Sequence, residues 1–341
     1  MCNGFRFLRS LLHNLEERNV KVKIAVIGAT GSAYKRTLPA LENSDICRAV
    51  AAQARNAELL AKACERFGIG ESYTSEEQML ARADYDMVFI ANPPFMHRES
   101  IARAVKTGKP ILCEKPLAQN ATEAVACAEL LEDYGGGFAV AHHLRHQKAF
   151  ADIKEILRSG EIGKAESACF RWGFRMNENA KNALWKLDPA LGGGGTLSDN
   201  GVHALDMAIA LFGKPLKVAG NSAHIRFDTV FDSETAFLAY NGLSVTVSSS
   251  QSASPDFNDL VICGDCGRIE VRGFFGEKSL SELTVECGQE KRRTVYNDVN
   301  PYALEVEDFA RRYVLNSTVE YCGSSLSDSV LALQIIEEAR K

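Results

Sequence analysis

Long apolar runs are missing from this 341-residue chain; nowhere does it reach the ~20 consecutive apolar residues that a membrane-spanning helix needs. Excess basic charge is missing too. The formal net charge is −5 at pH 7 and the pI about 5.9, which argues against a dedicated binder of nucleic acid or of a membrane surface. There is no internal repeat and no low-complexity linker. The ten cysteines lack the spacing of a disulfide framework, so we expect them reduced, in a cytoplasmic compartment. Cys263 and Cys266 have no second Cys or His pair nearby to complete a four-ligand zinc site. "DLVICGDCGRIEV" reads instead as two strands joined by a glycine-containing turn, and no metal is expected there. What remains is an ordinary globular composition, 46% hydrophobic and 24% charged. That suffices for a core and, at this length, for two domains.

The first residues, "MCNGFRFLRSLLHNLEERN", are broken by Arg6, Arg9 and His13 and followed by Glu16 and Glu17. This is no signal-peptide apolar segment, and we expect a short amphipathic extension over residues 1–21. Beyond it, apolar runs alternate with helical patterns. Strands are expected at 21–28, 46–53, 86–91, 110–113 and 137–143. Helices are expected at 57–67, stopped by Gly68; after Ser75, a capping-box residue; at 97–107, stopped by Gly108; and after Asn120. Such alternation implies βαβ units and a parallel sheet over residues 22–143. Residues 144–341 differ. Strand-like stretches at 165–175, 218–227, 234–240, 243–250, 260–271 and 280–296 follow one another with few helices between them. They point to an open, mainly antiparallel sheet. Asn300-Pro301 then opens a helix with an apolar stripe at Tyr302, Val306, Phe309 and Tyr313, and 326–340 forms the last helix.

Chemistry gathers where the early strands end. Gly28-Ala-Thr30-Gly31-Ser32-Ala33 lies between a strand and a helix, where glycines let the backbone approach a pyrophosphate. The pattern departs from G-x-G-x-x-G at Thr30, and an ordinary strand-to-helix turn is the competing reading. The next strand ends Ala52-Gln53-Ala54-Arg55-Asn56, with no acid to hold a ribose 2′-hydroxyl. Arg55 suits a 2′-phosphate, so NADP is expected ahead of NAD, unless Arg55 is merely solvated. "IANPPFMH" makes a rigid turn at a strand's carboxyl end, placing Asn92 toward the cofactor and His97 at a helix start, where capping would also explain it. "PILCEKPLA" ends a buried-looking strand on Glu114-Lys115-Pro116. Proline restricts the preceding lysine to extended backbone and so aims it.

"GGGGTLSDNGVHALD" runs from a glycine loop into a helix, and Asp199, His203 and Asp206 fall at helical spacing on one face. A histidine among carboxylates suits proton transfer, although a salt-bridged surface histidine has the same spacing. In "HHLRH" (142–146) the histidines are poorly spaced for a metal, and Arg145 is the candidate substrate anchor. Arg145, Arg171, Arg175 and Lys186 together hint at an anionic substrate.

These stretches resemble the Gfo/Idh/MocA oxidoreductase family, most specifically through "GKPILCEKPLA" and "GGGGTLSDNGVHALD", supported by "IANPPFMH" and "NPYALEVEDF". The resemblance runs from Val22 to the last helix. It implies an α/β fold: an N-terminal Rossmann dinucleotide-binding domain and a C-terminal α/β domain whose large open sheet forms homodimers or homotetramers. It implies NAD(P)-dependent hydride transfer to or from a secondary alcohol or ketone of a sugar, cyclitol or related polyol. Lys115, Asp199 and His203 map onto the usual catalytic set, and Glu114 and Lys115 onto the E-K-P motif beside the nicotinamide. His203 is then the expected general acid/base, Lys115 polarises the substrate oxygen and shares the proton, and Asp199 orients the pair; which of Lys115 and His203 carries the proton stays open. Trp185-Lys186 stands where relatives often have Trp-Arg. Two other readings are a redox-assisted glycosidase of the same fold and a non-catalytic dinucleotide sensor. The second would have lost the lysine or the histidine, and this chain keeps both.

Overall fold

The computed structural model describes residues 21–179, 181–276, 280–297 and 300–341. The expected N-terminal extension lies, but for Lys21, outside the described residues. Strands β1 (Val22–Ile27), β2 (Cys47–Gln53), β3 (Glu71–Tyr73), β4 (Met87–Ile90), β5 (Ile111–Glu114) and β6 (Phe138–Ala141) form one parallel sheet in the order β3-β2-β1-β4-β5-β6. Helices cover both faces, so these strands read as continuous apolar runs. Alternate residues go to opposite sides: Ala25, Ile27, Val88 and Ile90 into one core, Ile24, Val26, Met87 and Phe89 into the other. The strand order reverses at β1/β4. In open α/β sheets the crevice beyond the carboxyl ends at such a point is where ligands bind.

The expected caps Ser75, Asn120 and Asn300 are in place, and Asn56 adds another; each accepts from a backbone N–H in the first turn of the helix that follows. The helix expected after the glycine loop is short. It spans only Ser32–Lys35 and breaks at Arg36 before Thr37–Leu41. Pro39 explains the break, because its ring conflicts with the carbonyl of Lys35 in a continuous helix.

Helix Lys148–Ser159, which the sequence reading passed over, buries Phe150, Ile153 and Ile156 and leads to the second sheet. That sheet comprises β7 (Ala165–Arg175), β8 (Lys217–Ala223), β9 (Ser233–Tyr240), β10 (Leu243–Ser250), β11 (Ser252–Gly264), β12 (Gly267–Arg272), β13 (Leu280–Cys287) and β14 (Glu290–Asn297). Its order is β14-β13-β12-β11-β7-β10-β9-β8, antiparallel throughout except for the β7/β10 pair. Cys263 lies near the end of β11 and Cys266 in the turn to β12, the two-strand arrangement expected of this stretch. The inner face buries Phe170, Val245, Val247, Leu260 and Ile262 against helices Val202–Phe212 and Leu326–Ala339. Helix Pro301–Tyr313 turns back instead, placing Val306, Phe309 and Ala310 in the core of the first sheet. Among the described residues, no helix is long and apolar enough to cross a membrane.

Candidate active site

The first wall of the site is built by strand ends. Gly28 leaves β1 with φ +80°, and a Cβ there would meet the backbone N of Asn92 at 2.5 Å. Only glycine allows β1 and the turn after β4 to approach so closely. Beyond this contact lies a cavity of about 250 Å³, lined among others by Gly31, Ser32, Asn92, Pro93, Glu114 and Trp185. A tight glycine cradle at the sheet's switch point, opening on a cleft of this kind, fits a dinucleotide. Ser32 donates to Ala91 O at 3.4 Å. Asn92 donates to Ser100 Oγ at 2.8 Å, and its own Oδ1 is buried without a partner. Arg55 is exposed just past β2 and makes no ion pair among the described residues. His97 does not face the cleft. It is fully buried, its ring bridging Asn92 O at 2.8 Å and Leu117 O at 3.1 Å, so it ties the β4 and β5 turns together from behind.

A second cavity of about 280 Å³ adjoins the first and is lined by Lys115, Asp199, His203, His143, Trp172 and Tyr302 among others. Arg36, Glu114, Lys115, Lys186 and Asp199 line both. Lys115, followed by a cis peptide to Pro116, donates from Nζ to the backbone O of Asp199 at 2.7 Å. Burial lowers its pKa to about 8, helped by the nearby Lys186 ammonium and opposed by Asp199. Burial raises Glu114 above the ordinary carboxylate range, against the pull of Lys115 and Arg36.

The far wall belongs to the second sheet and its helices. Leu197–Gly201 is a wide π-turn that feeds helix Val202–Phe212. Asp199 sits in the π-turn. Its carboxylate accepts from Lys186 Nζ at 2.7 and 2.8 Å and from Gln251 Nε2 at 2.6 Å. Burial would raise its pKa, but the Lys186 and Lys115 ammoniums outweigh this and hold it at about 2. His203 lies edge-on to His143 with ring centroids 5.0 Å apart and is tilted against Trp172 at 5.6 Å. Its Nδ1 is buried without a partner. Burial, then the Lys115 charge, push its pKa well below the usual value, so the ring is neutral. His143 stacks on Tyr302 at 4.0 Å.

Further expectations change with the far wall. Asp206 does not share the site with Asp199 and His203. Three residues past His203 along the axis, about 4.5 Å, it has left the cavity. There it meets Arg145, the expected substrate anchor, which grips it with Nε and Nη2 at 2.7 Å each. Both are buried, with Asp328 and Ser324 as further partners. A guanidinium saturated in this way has no fork left for a substrate. Arg171 likewise pairs with Asp259 on the sheet's outer face, so only Lys186 of the four suspected cations lines the cavity, and Asp199 neutralises it. Sequence reasoning missed Arg36, His143, Trp172, Gln251 and Tyr302. Only His143 had a signal, its place at the end of an apolar strand; the others come from elements that spacing along the chain does not connect.

Residues 22–142 match the family described as "Oxidoreductase family, NAD-binding Rossmann fold", and residues 150–270 match the "GFO/IDH/MocA C-terminal domain". The chain is 27% identical over 288 residues to D-xylose 1-dehydrogenase (NADP(+)) 2 of Haloferax volcanii, covering 84% of this chain and 87% of that one. Levoglucosan dehydrogenase of Pseudarthrobacter phenanthrenivorans is 34% identical over 170 residues, 49% of this chain and 43% of that one. Among solved structures, an aldose-aldose oxidoreductase from Caulobacter crescentus shares the fold with a TM-score of 0.84 at 22% identity, over 94% of this chain and 98% of that one. The 3-ketoreductase KijD10 of Actinomadura kijaniata, in complex with NADP and TDP-benzene, does so with a TM-score of 0.82 at 23% identity, over 94% and 97%. Since the two family descriptions fall on the two sheets in turn, and together take in both walls of the cavity, the chain belongs to the Gfo/Idh/MocA oxidoreductase family.

Proposed function

We propose that this oxidoreductase is an NADP-dependent dehydrogenase or reductase that interconverts a secondary alcohol and a ketone on a sugar, cyclitol or related polyol, with NAD the weaker cofactor. The observation that carries the reading is the shared wall: Lys115 and Asp199 line both the dinucleotide cleft and the smaller cavity that holds His203. When bound, the nicotinamide supplies or takes up the hydride. The chain's own residues handle the proton. Lys115, with its pKa lowered to about 8, is the group that changes charge in the working range, and its bond to Asp199 O aims the amine into the cavity. In the oxidising direction neutral Lys115 accepts the hydroxyl proton; in the reducing direction its ammonium returns it and stabilises charge growing on the oxygen. His203, neutral throughout, hydrogen-bonds the same oxygen. Asp199 stays ionised, accepts from a neighbouring substrate hydroxyl and holds Lys186 in place. Glu114 completes the nicotinamide end of the cleft.

Support for NADP comes from exposed Arg55 beyond an acid-free β2 tip, from the NADP(+)-dependent xylose dehydrogenase and from the NADP complex of KijD10. The xylose dehydrogenase and the levoglucosan dehydrogenase also support a sugar substrate. The reading further includes a reducing, cytoplasmic setting and a homodimer or homotetramer formed through the outer face of the second sheet, where Phe237, Leu280 and Val295 are exposed. Screening sugars, sugar phosphates and inositols for the absorbance of reduced nicotinamide, with NADP and NAD in parallel, tests it. Turnover of a sugar with NADP is the expected result; release of a sugar substituent without net cofactor turnover would replace it with the glycosidase reading.

A further inference from the structure

Four consecutive glycines, Gly192 to Gly195, precede the π-turn that carries Asp199. Glycine loses more conformational freedom on ordering than any other residue, so this loop cannot hold Asp199 and His203 in place by itself. We propose that Arg340 is a positioning residue, which with Glu234 clamps the glycine loop and so sets the placement of Asp199 and His203 against Lys115.

Arg340 caps helix Leu326–Ala339, and Glu234 projects inward from β9, buried at 2% exposure. Nε of Arg340 donates to Glu234 Oε1 at 2.7 Å and Nη2 to Oε2 at 3.0 Å. The guanidinium also reaches the loop: Nη1 donates to Gly193 O at 2.6 Å and Nη2 to Ser198 Oγ at 3.3 Å. Ser198 in turn donates to Gly193 O at 2.7 Å, closing the loop on itself. On the other side, Glu234 Oε2 accepts from the N–H of Leu197, the first residue of the π-turn, at 2.8 Å. A Cβ on Gly195 would collide with that same oxygen, so the carboxylate occupies the space the missing side chain leaves. One planar, five-donor fork therefore reaches a buried carboxylate, a loop carbonyl and a hydroxyl of the π-turn, a geometry a lysine cannot reproduce. The consequence reaches the cavity through Asp199, whose carbonyl receives Lys115 and whose carboxylate receives Lys186 and Gln251.

The clamp rests on the proposed reaction only for the chemistry it positions, so the test has a second, substrate-free readout. Kinetics are measured for Arg340→Met, Arg340→Lys and the double variant Glu234→Gln with Arg340→Met, which leaves no unpaired buried charge. Lys115 is titrated in each by the pH dependence of its acylation, followed by mass spectrometry. A misplacement near 1 Å costs on the order of 10²-fold, so kcat is expected to fall ~10- to 10²-fold in Arg340→Met, with the NADP Kd unchanged. Arg340→Lys should recover little of it. The double variant should regain thermal stability and stay slow. The Lys115 labelling midpoint should move down in both Met variants as Asp199 recedes. A double variant with wild-type kcat and a wild-type labelling midpoint would reduce the clamp to a stabilising contact. If the wild type turns over no sugar, the reaction proposed above fails, and the labelling midpoint alone decides the clamp.

Discussion

The two walls of the cavity reach it by different routes. Glu114 and Lys115 arrive at the end of β5, and the Gly28–Ser32 loop at the end of β1. In a parallel sheet every strand points the same way, so a polar residue that ends an apolar run is delivered to the carboxyl edge by topology. Asp199, Lys186, Gln251, Trp172 and His203 come from a π-turn, a 3₁₀ segment, the link between β10 and β11, strand β7 and a helix. No single periodicity orders them. The strand-end wall tolerates a simple reading because its geometry is repeated from strand to strand; the other wall exists only where several unlike elements happen to pack.

Breaking this contrast begins with Arg145, which a loop-by-loop reading puts at the substrate and the structure puts behind it. Arg145→Met leaves the buried Asp206 carboxylate without its counter-charge, with only the Ser324 hydroxyl, among the described residues, to solvate it, a loss of about 3–5 kcal/mol of stability. Urea unfolding should show it, while kcat of the remaining folded protein stays near wild type; the opposite pattern would restore Arg145 to the substrate. Next is Lys115→Ala. Loss of a group that stabilises developing charge is worth ~10²- to 10³-fold in kcat. Single-turnover measurements should record that loss with dinucleotide affinity intact, and activity within about threefold of wild type would remove Lys115 from the chemistry. Smaller is Arg55→Ala, where a lost charge-assisted contact of ~1.5–3 kcal/mol should raise KM for NADP roughly ten- to a hundredfold and leave that for NAD nearly unchanged.

The finest test concerns pH. Lys115 must be neutral to accept a proton, so kcat for oxidation should rise with pH through about 8, and kcat for reduction should fall through the same midpoint. Lys186→Met removes a neighbouring positive charge and leaves Asp199 to Lys115, two changes of the same sign. Both favour the ammonium, so the midpoint of the pH profile should climb above that of the wild type. An unmoved midpoint would separate Lys186 from the proton chemistry and leave it a structural partner of Asp199.

Most of the Rossmann half was legible because its signals are local. Apolar runs, helix caps at Ser75 and Asn120, and stops at Gly68 and Gly108 each depend on a few adjacent residues. The same holds for the strands of the second sheet and for Lys115, whose direction follows from being at a strand end. Legibility failed where contacts are distant in the chain. Asp206 belongs to Arg145, 61 positions away, and Asp199 to Gln251, 52 positions away, and no local pattern in the chain connects either pair. Helix Pro301–Tyr313 could be read from its apolar stripe, yet its docking on the first sheet could not. An amphipathic pattern specifies that a face will be buried but not which partner buries it. The sequence by itself determined most strands and capped helices, the crevice and the lysine at its edge. Tertiary structure alone decided which buried charges neutralise one another, because pairing depends on side chains brought together from distant parts of the chain, as Arg145 with Asp206, 61 positions apart, and Arg340 with Glu234, 106 apart.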